Sequence, residues 1–290
     1  MISPALEALL RPYAPRTSAD WLHAIREIVQ ELVLLGLWRS GFYEHAAFYG
    51  GTALRIFHGL NRFSEDLDFS LLHTDSNVRL QQSFASVERE LAAWGFSFVL
   101  ESKSKGDRSG IESAFLKGNT HINFMRIGVP DALRRHLPDN QKITIKLELD
   151  IRPPAFATTD VLTRLLPTPH QVRLYDLPSL FAGKLHALLY RGWKNRVKGR
   201  DFYDFVWYVS RGITVNLPHL EARIRQGDVE EKYSLTLDDL QRLLLERFEA
   251  VDISAAADEV RPFLRDPREL QLWSVSFFQD LALQVRGSGA

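Results

Sequence analysis

The sequence contains no cysteine, and this absence excludes three kinds of chemistry. Without thiols the chain has no disulfides, no thiolate metal ligands and no cysteine nucleophile. That composition suits the reducing cytosol, so we expect a cytoplasmic protein. No apolar run approaches the roughly 20 residues of a membrane-spanning helix, and residues 1–5 lack the basic and then apolar layout of a signal peptide. We therefore expect no membrane among the partners of this chain.

An excess of either charge is also lacking, because 36 basic and 36 acidic residues give a formal net charge of zero. Affinity for nucleic acid must then come from a local basic patch, since the chain as a whole has no attractive field. The hydrophobic share of 45% is that of a globular protein, and 290 residues are enough for one large domain or two modest ones.

Three familiar kinds of site have no signature in the sequence. The G-x-G-x-x-G and P-loop fingerprints are missing, which argues against dinucleotide binding and against an ordinary NTPase. Ser64 and Ser70 have no partnered base, so a serine hydrolase is disfavoured. Four scattered histidines lack metal-ligand spacing, and we treat them as structural: His121, His170, His186 and His219.

Hydrophobic periodicity predicts a mixed first part of the chain and a helical second part. Residues 18–40 predict an amphipathic helix capped by Ser18, and strict alternation over residues 142–152 predicts the clearest strand. Residues 153–169 are predicted to be a connection. We place a boundary near residue 155, between a first domain with an N-terminal helix, residues 1–155, and a mainly helical domain, residues 156–290. Further helices are predicted at residues 52–60, 77–94, 180–191 and 201–211, and further strands at residues 44–49, 66–72, 96–100, 114–116 and 122–129.

A candidate anion site lies at Gly50-Gly51-Thr52, where an apolar strand ends and a helix begins. A helix N-terminus with a glycine entry has backbone N–H groups that can bind an anion. Asp66 and Asp68 follow in a predicted strand, and their side chains share one face because alternate residues of a strand do so. Two carboxylates beside such N–H groups would suit a divalent metal that carries a nucleoside triphosphate.

The charged face of the strand at residues 142–152 has two interpretations. It is either a solvated face of a half-exposed strand, or it brings Glu148 or Asp150 beside Asp66 and Asp68 as a third carboxylate. Three carboxylates on adjacent strands would hold Mg²⁺ and orient a hydroxyl for attack on an α-phosphate.

Lys184 lies among apolar residues of a predicted helix. It is either a lysine whose apolar stem is buried while its charge reaches water, or a point charge for triphosphate oxygens. Farther along, Asp201 is well placed as the N-cap of the next helix. Asp204 would face inward one turn later, where a carboxylate needs a partner, whether a metal, a base or an arginine.

Between these two predicted helices, residues 191–200 contain five cations and one tryptophan. The segment is either a solvated loop or a contact for a nucleotide or a phosphate backbone, with the indole as a stacking surface. The candidate RNA-binding residues are Arg191, Trp193, Lys194, Arg196 and Lys198.

Five motifs in fixed order resemble the AbiEii/AbiGii toxin family over residues 45–215: G-G-T-A-L-R, R-F-S-E-D-L-D-F, K-L-E-L-D-I-R, A-G-K-L-H-A-L-L-Y-R and K-G-R-D-F-Y-D-F. The resemblance implies an α+β fold with a polymerase-β-like minimal nucleotidyltransferase core, in which helices flank a mixed sheet, and a helical C-terminal domain. It also implies a toxin of a toxin–antitoxin or abortive-infection pair, with a cognate antitoxin as partner. The implied reaction transfers a nucleotide from an NTP to RNA, with the tRNA 3′ end as the leading acceptor, and blocks translation.

The same resemblance implies roles for residues of this chain. The implied metal ligands for Mg²⁺ are Asp66, Asp68 and Glu148. The implied catalytic residues are Asp66, Asp68, Glu148, Asp150, Lys184 and Asp204. The implied nucleotide-binding residues are Gly50, Gly51, Thr52, Arg55, Lys184, Arg200 and Asp201. Either Glu148 or Asp150 is the third carboxylate, and either Asp201 or Asp204 is the acid of the second domain. Gly51-Thr52 departs from the common Gly-Ser, but the threonine keeps the hydroxyl.

Two other functions remain open. The same fold can serve a phosphotransferase or an NTP-binding inhibitor that acts on a protein or a small molecule. The chain can also be a non-catalytic module that binds a partner. The joint presence of Asp66, Asp68, Glu148, Lys184 and Asp204 disfavours the last alternative, because a binding module does not need all of them.

Overall fold

The computed structural model describes residues 3–74, 77–103, 110–135, 137–190, 197–226, 234–264 and 266–287. The chain forms two compact units. The first comprises Met1–Ile56, Glu65–Pro153 and Val161–Leu174, and the second comprises Phe57–Ser64, Pro154–Asp160 and Tyr175–Ala290. A single boundary near residue 155 therefore does not describe the division, because the chain passes from one unit to the other more than once.

A seven-stranded mixed sheet forms the core of the first unit, in the order β3-β4-β5-β2-β1-β7-β6. Parallel pairs join β1 to β7 and β2 to β5, and the pairs β1–β2, β3–β4 and β4–β5 are antiparallel. The strands are β1 (Ala46–Tyr49), β2 (Leu67–Leu71), β3 (Val99–Lys103), β4 (Ile111–Asn119), β5 (Lys142–Asp150), β6 (Thr159–Arg164) and β7 (His170–Tyr175). The strand predicted at residues 142–152 is confirmed as β5, whose apolar face is buried.

The longest helix of the chain, α2, lies in this unit and begins at Ser18, as the periodicity predicts. Its predicted cap is wrong, because Thr17 and Asp20 form a capping box instead. The Ser18 hydroxyl donates to the carbonyl of Leu133 at 2.8 Å. The first six helices are α1 (Pro4–Leu10), α2 (Ser18–Arg39), α3 (Gly50–His58), α4 (Phe84–Ala93), α5 (Thr120–Arg126) and α6 (Asp131–Arg134).

Two stretches differ from the sequence predictions. Residues 122–129 were predicted as a strand but belong mostly to helix α5, which Asn119 caps by accepting from the backbone N–H of Ile122 at 2.9 Å. The predicted connection at residues 153–169 contains strand β6. A short apolar run does not distinguish strand from helix, and none of the residues of β6 is buried, so neither element has a clear periodic signal.

The second unit is mainly helical and is packed around aromatic side chains. Its core contains contacting pairs of aromatic rings whose centroids lie 5.1–6.4 Å apart, formed by Phe202, Phe205, Phe248 and Phe278. Its helices are α7 (Leu177–Tyr190), α8 (Gly199–Ser210), α9 (Leu217–Arg225), α10 (Leu237–Ala250), α11 (Ile253–Val260) and α12 (Val275–Ala282), and the short strands β8 (Thr214–Val215) and β9 (Arg286–Gly287) pair in parallel. Among the described residues, no helix combines the length and the apolar character that crossing a membrane requires.

Candidate active site

The backbone at the start of α3 lies against the carboxylate of Asp68. Gly50 has a φ of +83°, and a Cβ atom added there would lie 2.4 Å from Oδ2 of Asp68. Only glycine fits this position without strain, because it has no Cβ and tolerates positive φ. Tyr49 is the partner of Asp68 in the β1–β2 ladder, so the close approach follows directly from strand pairing. The predicted glycine entry to a helix is thus present, and the carboxylate lies next to it.

The pairing of β2 with β5 decides which carboxylate stands opposite Asp68. The Cα partner of Asp68 is Glu148, and the partner of Ser70 is Asp150. Neighbouring strands lie about 4.8 Å apart, and paired residues of parallel strands have side chains on the same face. Glu148 is therefore the direct neighbour of Asp68, and Asp150 lies farther along the same face.

Asp66 lies outside the strand that was predicted to contain it. β2 begins at Leu67, and Asp66 is an exposed residue just before it. The hydroxyl of the buried Thr52 donates to the backbone carbonyl of Asp66. Through this bond α3 fixes the chain where it enters β2, two residues before Asp68.

Glu148 has two neighbours within β4 and β5. Lys146 Nζ lies 2.6 Å from Glu148 Oε1, and the Ser113 hydroxyl donates to the same oxygen at 3.2 Å. Asp150 accepts the backbone N–H of Arg152 through Oδ1 at 2.9 Å. Over residues 146–150, the charged face of β5 is therefore a set of paired groups, whereas Lys142 and Thr144 at the start of the strand are exposed.

The donor set fits Mg²⁺ in chemical kind, because this ion prefers carboxylate oxygens. In the parts of the chain that the structure describes, no group of three or more His, Cys, Asp or Glu side chains is arranged to hold a metal ion. The set Asp66, Asp68 and Glu148 is thus not assembled as three ligands in this structure. Mg²⁺ is usually bound through one or two carboxylates together with substrate phosphates. The Asp68–Glu148 pair meets that smaller requirement.

Arg55 of α3, an implied nucleotide-binding residue, belongs to an ion pair inside the first unit. Its Nε donates to Glu27 Oε2 at 3.0 Å, and both side chains are largely buried. The Tyr13 hydroxyl donates to the other oxygen of Glu27 at 3.0 Å. Burial, reinforced by Glu27, raises the pKa of Tyr13 well above its usual range. These contacts give Arg55 a structural partner on α2.

A second constellation lies in the helical unit, where α7 meets α8. Lys184 Nζ of α7 lies 2.7 Å from Asp201 Oδ1 and 2.7 Å from Asp204 Oδ2, both on α8. The prediction that Asp201 is an N-cap is wrong, because α8 begins at Gly199 and Asp201 lies in its first turn. Its carboxylate instead binds the lysine.

The partners of Asp204 are an arginine and a lysine. Arg62 Nε and Nη2 bind Oδ1 and Oδ2 of Asp204, each at 2.6 Å. The exposed fractions of the two side chains are 3% and 0%. Burial by itself raises the pKa of Asp204, but the charges of Arg62 and Lys184 outweigh it and hold that pKa below its ordinary value. Burial lowers the pKa of the Lys184 ammonium, whereas Asp201 and Asp204 raise it, and the net shift is upward.

Sequence reasoning missed Arg62. Arg62 is the first residue of the R-F-S-E-D-L-D-F motif, but it is not among the predicted site residues. The sequence did contain one indication of such a residue. Asp204 was predicted to face inward and to need a partner, and an arginine was one of the three suggested partners. No local pattern links the two residues, because 142 positions separate them.

Two further cations of the predicted site, Arg200 and Lys198, lie at the start of α8. Arg200 packs its guanidinium carbon 4.1 Å from the ring centroid of Phe263, and its backbone N–H donates to Glu259 at 3.2 Å. Lys198 occupies the N-cap position of α8. The other candidate RNA-binding residues lie outside the described residues: Arg191, Trp193, Lys194 and Arg196.

The chain as a whole matches a known family. A family model described as "Nucleotidyl transferase AbiEii toxin, Type IV TA system" covers residues 32–280. This chain belongs to the AbiEii family. A solved structure of a candidate nucleotidyltransferase from H. pylori is 20% identical, with a TM-score of 0.52 and coverage of 90% of each chain. The structure of JHP933 from Helicobacter pylori is 19% identical, with a TM-score of 0.51 and coverage of 98% of this chain and 92% of that chain. No curated protein matches.

Membership in the AbiEii family confirms the resemblance on which the sequence prediction rested. The mixed sheet with flanking helices, shared with the two solved structures, confirms the α+β nucleotidyltransferase fold. As an AbiEii protein, the chain is a nucleotidyltransferase toxin with a nucleotide substrate and an antitoxin partner. The roles of individual site residues stay predictions.

Proposed function

We propose that this AbiEii protein is a Mg²⁺-dependent enzyme that transfers a nucleotide from an NTP to an RNA acceptor, with the tRNA 3′ end as the first candidate, and so blocks translation in the cytoplasm. One observation carries the proposal. Asp68 stands opposite Glu148 on neighbouring parallel strands while Gly50, at the start of α3, lies against the Asp68 carboxylate. This arrangement joins two carboxylates to a helix N-terminus, where an anion is favoured.

The reaction needs an acceptor hydroxyl, an α-phosphorus and a leaving diphosphate. The hydroxyl oxygen forms a bond to the α-phosphorus, the bond between the α-phosphorus and the bridging oxygen breaks, and diphosphate leaves with that oxygen. Asp68 and Glu148 would hold Mg²⁺, which supplies charge neutralisation at the phosphates. Asp150, farther along the same face of β5, is the candidate base that takes the hydroxyl proton.

The phosphates also need cations from the protein. Lys184 suits this role as a point charge, and its raised pKa keeps it protonated at neutral pH. An ammonium has three N–H donors, and in the described part of the chain Asp201 and Asp204 engage two of them. The third donor is the one that we assign to a phosphoryl oxygen of the nucleotide.

The decisive experiment incubates the purified protein with each α-labelled NTP, Mg²⁺ and total RNA, and then separates RNA from protein. We expect label on tRNA, removed by Asp68→Asn and kept by Glu101→Gln. Glu101 is a matched control because it is an exposed carboxylate on edge strand β3 of the same sheet, paired with Lys117.

Other outcomes point to other functions. Label on protein or on a small molecule would contradict an RNA acceptor and show nucleotidyl transfer to that other acceptor. Transfer of label from a γ-labelled NTP, with none from the α-labelled NTP, would instead support the phosphotransferase considered above. A protein that binds no NTP in the presence of Mg²⁺ would instead be a partner-binding module. Label on RNA species other than tRNA would keep nucleotidyl transfer and exclude the tRNA 3′ end.

A further inference from the structure

A buried group of four charged side chains lies inside the helical unit. We call it the Arg62 cluster, and it consists of Arg62, Lys184, Asp201 and Asp204. Two cations face two carboxylates, so the formal charges balance. Asp204 is fully buried, Asp201 and Arg62 are nearly so, and the side chain of Lys184 is 13% exposed. Such a cluster is stable only while complete, because removing one partner leaves a buried charge without compensation.

Arg62 holds Asp204 in a single orientation. Two parallel N–H bonds of 2.6 Å run from the guanidinium to the two carboxylate oxygens. This fork geometry fixes the plane of the carboxylate as well as its distance. The remaining terminal nitrogen, Nη1, donates to the carbonyl of Phe63 at 3.0 Å. Both ends of the guanidinium are therefore anchored.

The backbone around Arg62 is held by the C-terminal part of the same unit. Arg62 forms an isolated antiparallel bridge with Leu264, and the N–H of Phe63 donates to the carbonyl of Phe263 at 3.0 Å. Glu269 accepts from the Asn61 side chain at 3.2 Å and from the Tyr203 hydroxyl at 2.7 Å. These bonds fix the position from which the guanidinium reaches Asp204.

The fixed orientation of Asp204 affects the position of the Lys184 ammonium. Its ammonium touches Asp204 through Oδ2, the oxygen that Arg62 Nη2 also binds. If the carboxylate rotated, the ammonium would lose one of its two acceptors and would swing toward Asp201 alone. Arg62 thus restrains the carboxylate that the Lys184 ammonium contacts, although Arg62 lies in a different segment of the chain and does not need to touch the substrate.

We propose that Arg62 is a positioning residue for nucleotide binding, which acts through Asp204 to hold the Lys184 ammonium toward a phosphoryl group of the NTP. The inference rests on the proposed function, because it requires Lys184 to bind the nucleotide. The substitution Arg62→Lys would keep the charge but lose the two parallel N–H bonds, so it would balance the cluster without fixing the carboxylate plane.

The test measures the Kd for NTP in the presence of Mg²⁺ in four proteins: the wild type, Arg62→Lys, Lys184→Ala and the double variant. We expect Arg62→Lys to raise the Kd about tenfold, on the scale of a lost charge-assisted hydrogen bond. In the Lys184→Ala background, the same substitution should change the Kd by less than about twofold, because residues that act through one another are not additive.

Thr236→Ala is the matched control. It removes the N-cap hydroxyl of α10 in the same unit and keeps every side chain of the Arg62 cluster. We expect it to lower the Tm without changing the Kd for NTP, which separates loss of stability from loss of positioning. If Arg62→Lys lowers the Tm, the four Kd values are compared at one temperature below the lowest Tm of the set, so that every protein is folded.

Three results would overturn the inference, and they are distinguishable. An unchanged Kd in Arg62→Lys, or an equal rise in both backgrounds, would show that Arg62 does not act through Lys184, and would leave the proposed function intact. An unchanged Kd in Lys184→Ala would instead refute the role of Lys184 itself, and the inference would fail with it.

Discussion

At the scale of single residues, the charge of Lys184 depends on its two aspartates. Burial lowers the pKa of the ammonium, and the negative charges of Asp201 and Asp204 more than compensate. If Lys184 binds a phosphoryl group as proposed, binding requires the protonated ammonium, and we expect NTP affinity to fall as the pH rises through the pKa of Lys184. Anything that lowers this pKa moves the loss to lower pH.

We therefore expect Asp201→Asn to shift the alkaline limit of NTP binding to lower pH. The substitution removes one carboxylate charge and leaves the burial in place, so the pKa of Lys184 falls. The measurement is the pH dependence of the Kd for NTP in wild type and variant. An alkaline limit at the same pH in both proteins would show that Lys184 does not govern the titration.

Gly50 offers a second residue-scale prediction. Gly50→Ala adds a Cβ at a distance of 2.4 Å from Asp68 Oδ2 and also forces alanine to a φ of +83°. We expect a loss of stability of about 1–3 kcal/mol from the backbone, together with weaker binding of Mn²⁺ as a probe for Mg²⁺, because the carboxylate must move. Differential scanning calorimetry and Mn²⁺ titration followed by electron paramagnetic resonance measure the two effects.

Gly59→Ala is the matched control for this prediction. Gly59 has a φ of +73°, but an added Cβ would meet no atom within 4 Å. The control therefore carries the backbone strain without the clash and should lower stability while leaving Mn²⁺ affinity unchanged. Equal loss of Mn²⁺ affinity in the two variants would show that contact with Asp68 is irrelevant.

At the scale of elements, the register between β2 and β5 gives Glu148 and Asp150 different positions relative to Asp68. Glu148 is the partner of Asp68, whereas Asp150 is the partner of Ser70. We expect Glu148→Gln to weaken Mn²⁺ binding about tenfold or more, because it removes a ligand of the pair. Asp150→Asn should leave Mn²⁺ affinity nearly unchanged and lower kcat. The reverse pattern, with Mn²⁺ affinity dependent on Asp150, would assign the third carboxylate to Asp150.

The sequence predicted those elements in which local pattern and tertiary contacts agree. Strict alternation identified β5, which buries one apolar face, and helical spacing identified α2, which is long and is buried on every side over residues 32–37. The sequence prediction failed for α5 and for β6, since a short segment, or one without buried residues, has no such pattern. The same limit applies to the site. The acids on β2 and β5 lie in recognisable motifs, but the Arg62–Asp204 pair depends on two distant segments folding together.

At the scale of the whole molecule, toxicity should follow the chemistry of the Asp68–Glu148 pair. An AbiEii toxin produced without its antitoxin is expected to slow growth in proportion to its catalytic activity, provided that the protein folds. A variant can lose toxicity because it is inactive or because less of it is folded. Each variant must therefore be compared with the wild type at equal amounts of soluble protein. Asp68→Asn should abolish the growth defect, because without this carboxylate Mg²⁺ loses a ligand beside the phosphates.

Lys184→Ala and Glu101→Gln complete the growth experiment. Lys184→Ala should relieve toxicity, since the nucleotide loses a cation, and Glu101→Gln should stay as toxic as wild type, since its exposed carboxylate lies on the edge strand β3. Growth curves after induction, with immunoblots of the soluble fraction, measure both. Undiminished toxicity of Lys184→Ala would refute the role of Lys184, and undiminished toxicity of Asp68→Asn would show that the chain poisons cells by binding a partner and not by transferring a nucleotide.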